Sequence, residues 1–246
     1  MGRAIDHEPW IHVPDGPPPP DGWPILLFLH GLREGRWSAP RNGDAVEQDR
    51  RGVLKHGAPP ALFAARNRRV PSLWQRFMLV SPQAPNTAAT ARTWRWTDPH
   101  IVAYVNGVLR QLGDRAHRAP RVYGAGFSRG GKGIVELDGQ LEPPFHAFAK
   151  IVTADAEDLS SLVRAPHPRK PIWMHVGGRT FPNIEATHSV CERDPAVVKF
   201  PLRGTSGLPP QSVVLTKRPQ RAADDAHTRL CRSTFGDNRI YDWLLA

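Results

Sequence analysis

The chain has 246 residues, of which 40% are hydrophobic and 23% are charged. These fractions are those of an ordinary globular protein and exclude a disordered chain, which has too few apolar residues to bury a core. An α/β fold of this length routinely forms one domain, so a single folded domain is expected.

Positive charge is in excess, with a formal net charge of +10. Such a charge attracts polyanions at low salt. The arginines are nevertheless scattered from Arg3 to Arg239, with no long basic run, recognition-helix pattern or zinc-ligand spacing. The sequence therefore predicts an Arg-rich surface and no specific nucleic-acid partner.

The cysteines and the apolar runs bear on cellular location. Cys191 and Cys231 are too few for a disulfide framework and form no CxxC pair. The first residues, MGRAIDHEPW, lack the apolar core of a secretory signal. The longest apolar run, Ile25–Leu29, is too short to cross a bilayer. We therefore expect a cytoplasmic protein that does not bind membranes.

In chain order, residues 1–22 end in the Pro-rich stretch DGPPPPDGW, which predicts an extended surface arm. Residues 23–246 then alternate apolar strands with helical patterns, which predicts an α/β fold with a mostly parallel sheet. Residues 180–210 predict helix and irregular connections. Helices are predicted at 54–66, at 99–112, directly after RVYGAG and over DNRIYDWLLA. Strands are predicted at PILLFLHG, RFMLVSPQAP, RVYGAG, HAFAKIVTA, PIWMHVGG and SVVLTKRP.

One segment carries a catalytic motif. Residues 126–130, GFSRG, fit G-x-S-x-G and lie between a predicted strand and a predicted helix, the context of a nucleophile elbow. The glycines are needed because the turn is sharp and Ser128 must project its Oγ above the sheet edge. A Gly-rich turn can also bind phosphate, but the Gly-Lys pair that follows leads to Gly133 rather than to Ser or Thr.

The motif implies an oxyanion hole made of two backbone N–H groups. The N–H of Arg129, directly after the serine, is the first. The second is expected from the His-Gly turn after the strand PILLFL, at Leu32. His30 of that turn is predicted to be a structural histidine that orients the loop.

These segments resemble α/β-hydrolases of the polyhydroxybutyrate-depolymerase-like and dienelactone-hydrolase-like esterase type, with predicted peptidases and phospholipase/carboxylesterases as relatives. The likeness runs from Trp23 onward and implies the α/β-hydrolase fold, with helices on both faces of a mostly parallel sheet. The matching stretches are PILLFLHGLREGRW, LKHGAPPAL, FMLVSPQAP, RVYGAGFSRGGKG, FHAFAKIV, PIWMHVGG and IYDWLL.

The resemblance also implies an acid and a base, which this chain places differently. Relatives carry an Asp after a strand ending in His-Gly, and PIWMHVGGRTFP has Arg179 or Thr180 at that position. They carry the base shortly before the closing helix, where ADDAHTRLC has Asp224 in the His place. His227 is nearby and keeps the chain order nucleophile, acid, base, so it is the expected base.

Three carboxylates are candidates for the catalytic acid, because an acid at a neighbouring strand end can reach the same imidazole. Asp155 and Asp158, which follow the strand KIVTA, come first, and Glu185 comes next. Each is equally compatible with an ordinary surface carboxylate. Asp155 is taken as the first candidate.

The sequence thus predicts a serine esterase with a small-molecule ester substrate and no cofactor, and it leaves the oligomeric state open. No metal is predicted, since the histidines show no ligand-like spacing. Trp94 and Trp96 are candidates either for a substrate pocket or for core packing. The alternative function is a catalytically impaired member of the fold that binds a ligand or partner.

Overall fold

The structure is a computed structural model that describes residues 8–39, 42–113, 121–142, 144–151, 172–177, 197–199, 213–218 and 226–246. The strands are β1 (Trp10–His12), β2 (Ile25–Leu29), β3 (Trp37–Ser38), β4 (Val46–Glu47), β5 (Met78–Ser81), β6 (Val122–Phe127), β7 (Phe145–Ile151), β8 (Ile172–Gly177), β9 (Val197–Lys199) and β10 (Val213–Arg218). The helices are α1 (Pro59–Ala64), α2 (Pro71–Arg76), α3 (Pro99–Gly113), α4 (Arg129–Glu136), α5 (Ala226–Phe235) and α6 (Asn238–Leu245), with 3-10 helices at Leu32–Glu34 and Arg50–Leu54.

Among the described residues, eight strands form one sheet in the order β1-β5-β2-β6-β7-β8-β10-β9. The pairing of β1 with β5 is antiparallel, and the other pairings in this sheet are parallel. Parallel strands end at the same edge of a sheet, so the loops after β2 and β6 lie side by side. The predicted α/β class with a mostly parallel sheet is confirmed.

The central strands are buried on both faces, as their continuous apolar runs predict. Ile25, Leu27 and Leu29 of β2 pack in one cluster with α3 and α4. Leu26 and Phe28, which alternate with them, pack in a second cluster with α1, α2, α5 and α6. Because successive side chains of a strand point to opposite faces, helices on both sides of the sheet are needed to cover this core.

The strand predictions are confirmed for β2, β5, β6, β7, β8 and β10, and the helix predictions for α3, α4 and α6. The helix predicted at 54–66 is shorter and begins at Pro59, because Gly57 has a φ of 66° and two prolines open the helix. Residues 197–199, predicted within a helical or irregular connection, form an edge strand instead.

The N-terminal segment, predicted to be an extended surface arm, also contributes a strand to the sheet. Trp10–His12 pairs with Met78–Ser81 at the edge of the sheet, although the following prolines form neither helix nor strand. The run is three residues long, which is too short for a periodic pattern to show in the sequence. No helix in the described part of the chain is both long and apolar enough to cross a membrane.

Candidate active site

Ser128 occupies the sharp turn between β6 and α4. Its φ of 57° and ψ of −122° lie where L-residues rarely occur, while the residues on both sides continue into a strand and a helix. Such a backbone costs about 1–3 kcal/mol and is typical of functional sites. The serine is partly exposed at the end of the strand, and its side chain is not sealed in the core.

The two glycines that flank Ser128 are required by close approach of backbone atoms. A Cβ on Gly126 would lie 2.3 Å from the carbonyl oxygen of Gly130. A Cβ on Gly130 would lie 1.8 Å from the carbonyl oxygen of Leu29, in the neighbouring strand β2. Both distances are far below van der Waals contact, so α4 can begin this close to β2 only with glycine at both positions.

The His-Gly turn after β2 lies directly against the serine. A Cβ on Gly31 would be 3.2 Å from the Cβ of Ser128. The 3-10 helix of Leu32–Glu34 begins at the next residue. Leu32 and Arg129 are each the first residue of a helix that begins beside Ser128. The first N–H groups of a helix have no acceptor within that helix, and these two N–H groups are among them.

His30 holds the turn in place. Its Nε2 accepts the backbone N–H of Ala84 at 2.9 Å, so Nδ1 carries the proton and donates to the carbonyl oxygen of Gly31 at 2.7 Å. Burial lowers the pKa of His30 to about 4, which keeps the ring neutral near pH 7. The prediction of a structural histidine is confirmed.

Trp94 and Trp96 belong to the core rather than to a substrate pocket. Each is 1% exposed, and their rings pack on the His30 ring with centroids 5.5 and 5.0 Å away. A Cβ on Gly133 would meet the Trp96 ring at 2.4 Å, so this glycine of α4 makes room for the indole. The pocket interpretation of the two tryptophans is wrong, because both indoles are enclosed.

The side chain of Arg129 ties the elbow to the loop that carries these tryptophans. Its guanidinium donates to the carbonyl oxygens of Trp94 and Arg92 and lies 5.1 Å above the Trp94 ring. Burial lowers the pKa of Arg129, but the guanidinium keeps its charge. Its side chain therefore supports the turn that holds Ser128.

Sequence reasoning missed two titratable residues beside the elbow, Glu34 and His56. Glu34 is 1% exposed, and its Oε2 accepts the Gly31 N–H at 2.7 Å. His56 Nε2 lies 3.8 Å from Glu34 Oε1, and the His56 ring is 6.0 Å from the Phe127 ring. Both lie in stretches that carry the resemblance, HGLREGRW and LKHGAPPAL, and the Gly-x-x-Glu spacing of a capping box was the available signal.

Comparison with known proteins identifies the fold. No family model matches the sequence, and no curated protein is significantly similar to it. Solved structures do match. One is a thermostable esterase that is 20% identical to this chain, with a TM-score of 0.57. The match covers 96% of this chain and 57% of the esterase chain. The chain has the α/β-hydrolase fold.

Two further matches agree with this assignment of the α/β-hydrolase fold. A dienelactone hydrolase from Anabaena variabilis is 16% identical with a TM-score of 0.53, over 96% of this chain and 89% of its own. The feruloyl esterase module from Clostridium thermocellum is 10% identical with a TM-score of 0.57, over 94% and 81%. The resemblance predicted from sequence is confirmed for the fold.

Of the expected base and acid, the base lies within the described residues and the acid does not. His227 is in the first turn of α5, one helical turn before the buried Cys231. Asp155, the first candidate acid, lies outside the described residues, as do Arg179 and Thr180. The other two candidate carboxylates, Asp158 and Glu185, also lie outside them.

Two further points concern histidines and metals. His175, in the strand that precedes the expected acid position, is fully buried and stacks on Trp173 with ring centroids 5.1 Å apart. Across the described ranges, His, Cys, Asp and Glu side chains form no group of three or more able to hold a metal ion. The absence of a metal stays a prediction for the whole chain.

Proposed function

We propose that this protein is a serine hydrolase that cleaves carboxylic esters through an acyl-enzyme. One observation carries the proposal: Ser128 has a strained backbone at a strand-to-helix turn, with the Gly31 turn packed against it. A serine held this way presents its hydroxyl outward next to N–H groups at the start of two helices. The esterases among the structural matches make ester substrates the first to test.

The proposed reaction uses the described geometry in two steps. The Ser128 Oγ attacks the ester carbonyl carbon while a base takes its proton, and the negative oxygen that develops is held by the N–H groups of Leu32 and Arg129. The base returns the proton to the leaving alcohol, so an acyl-serine remains. Water activated by the same base then releases the acid and regenerates Ser128.

His227 is proposed as the base and Asp155 as the acid that orients it. The chain order Ser128, Asp155, His227 is the order of the α/β-hydrolase fold. A small-molecule ester is the proposed substrate, and the subgroup proposed is the polyhydroxybutyrate-depolymerase-like and dienelactone-hydrolase-like one. The competing proposal, a catalytically impaired member of the fold that binds a ligand or partner, follows from the Arg or Thr at the usual acid position.

Turnover of 4-nitrophenyl acetate by wild type and Ser128→Ala tests the proposal. We expect the wild type to hydrolyse the ester and the variant to lose roughly 10³-fold or more in kcat, because no other group supplies the nucleophile. Ser233→Ala removes a hydroxyl that, among the described residues, donates to the Leu230 carbonyl oxygen of its own helix, and it should leave turnover unchanged. Equal turnover by wild type and Ser128→Ala would contradict the proposal, and binding without turnover would favour the competing one.

A further inference from the structure

A buried carboxylic acid closes the turn that carries the proposed oxyanion hole. Glu34 is the third residue of the 3-10 helix, and its Oε2 accepts the N–H of Gly31, the residue that caps the same helix. This hydrogen bond fixes the direction of the peptide groups between Gly31 and Glu34. The Leu32 N–H lies between them, so the Glu34 side chain determines how that N–H is oriented.

The same carboxyl group is close to Ser128. The position of a Cβ on Gly31 is 3.2 Å from the Ser128 Cβ and 3.5 Å from the Glu34 Oε2. The Glu34 carboxyl oxygen and the Ser128 side chain therefore both lie next to Gly31. A negative charge on Glu34 would act at short range, in a poorly solvated site, on any oxyanion formed at Ser128.

The surroundings of Glu34 favour the neutral acid. Within the described part of the chain, Oε1 is buried and receives no hydrogen bond. The titratable groups that face the carboxyl are His56, whose Nε2 is 3.8 Å away, Lys55, and Cys231 of α5. Burial raises the pKa of Glu34 to about 8, against the opposing effects of the Gly31 hydrogen bond and Lys55.

We propose that Glu34 acts as an uncharged carboxylic acid that positions the oxyanion hole. Its hydrogen bond to Gly31 holds the turn, and its neutral state avoids a second negative charge beside the tetrahedral intermediate. Glu34 is a positioning residue, because it acts through the backbone and does not touch the reacting atoms. The inference rests on the proposed function and adds a requirement to it.

Because the proposal depends on the protonation state of Glu34, it can be tested by the dependence of kcat/KM on pH. Well below pH 8 the acid is mostly neutral, so its charge does not oppose the oxyanion. Above pH 8 Glu34 ionises, and its charge repels the oxyanion, so kcat/KM should fall with rising pH. Gln at this position keeps an oxygen for the Gly31 N–H and cannot ionise, so this alkaline fall should disappear.

The experiment compares wild type, Glu34→Gln and Glu34→Ala between pH 6 and pH 9.5 with 4-nitrophenyl acetate, and follows the rate of fluorophosphonate labelling of Ser128. At pH 7 we expect Glu34→Gln to stay within roughly threefold of wild type. Glu34→Ala should lose roughly 10- to 100-fold in kcat with little change in KM, as expected when an oxyanion donor is misplaced. Glu47→Gln, an exposed carboxyl paired with Arg36, is the matched control and should keep the wild-type profile.

The outcomes separate the two proposals. If wild type labels at Ser128 and Glu34→Gln keeps the wild-type alkaline fall, or if Glu34→Ala retains full kcat, this inference alone is overturned. If wild type neither labels nor turns over, the proposed function fails and this inference fails with it. Should Glu34→Ala not fold, the comparison of Glu34→Gln with wild type above pH 8 still decides the matter.

Discussion

At the scale of single residues, the site depends on backbone approach that only glycine permits. The carbonyl oxygen of Leu29 occupies the space of a Cβ on Gly130, and the carbonyl oxygen of Gly130 occupies that of a Cβ on Gly126. The start of α4 is therefore wedged against two strands of the sheet. This contact accompanies the unusual backbone conformation of Ser128, which is partly exposed.

Two Gly→Ala substitutions of opposite sign test this account. Gly130→Ala should destabilise the fold by several kcal/mol or prevent soluble expression, because a new Cβ would overlap a backbone oxygen at 1.8 Å. Gly107→Ala, in the middle of α3 with open space around the new methyl, should stabilise by about 0.5–1 kcal/mol. Urea denaturation of both variants checks the pair. A Gly130→Ala protein as stable as wild type would contradict the described contact.

At the scale of elements, the proposed chemistry draws on three separate parts of the chain. The loops after β2 and β6 supply the serine and the proposed oxyanion donors, and α5 supplies the proposed base at its first turn. The helix α5 also lies against the turn before α1, since a Cβ on Gly57 would lie 3.0 Å from the Arg232 Cγ of α5. Burial raises the pKa of the Cys231 thiol, and a negative charge on the nearby Glu34 carboxyl raises it further.

The proposed base is tested by comparing three histidines. His227→Ala should lower kcat for 4-nitrophenyl acetate by roughly 10³-fold or more, because the proton of Ser128 would have no acceptor. His100→Ala, an exposed histidine at the start of α3, should leave kcat unchanged. The two variants need matching circular dichroism spectra for the comparison to hold. Loss of activity in His56→Ala with full activity in His227→Ala would contradict the assignment and make His56 the base.

At the scale of the whole molecule, the sheet and its two core layers were predictable from sequence. Runs such as Ile25–Leu29 are apolar at every position, which is typical of a strand covered on both faces. The strand at Trp10–His12 was not predictable, because its place is set by pairing with β5 rather than by its own pattern. Short helices such as Pro71–Arg76 likewise depend on tertiary contacts, including that of Ser72 with Asp242.

The candidate site was predictable only where it is local in sequence. The GFSRG turn is recognisable from five adjacent residues, and the His-Gly turn follows a strand that its apolar run predicts. The contact of Glu34 with His56 joins residues 22 positions apart through a fold that composition and periodicity do not specify. The core position of Trp94 and Trp96 was equally hidden, because an aromatic pair in a loop suits a pocket and a core alike.

The most direct test of the central claim is covalent labelling of the intact protein with a fluorophosphonate, followed by mass spectrometry of its peptides. An activated serine reacts with such reagents, whereas ordinary surface serines do not. We expect one adduct per chain, on the peptide that contains Ser128, and none in Ser128→Ala. An unlabelled wild type, or an adduct on another residue that persists in Ser128→Ala, would contradict it.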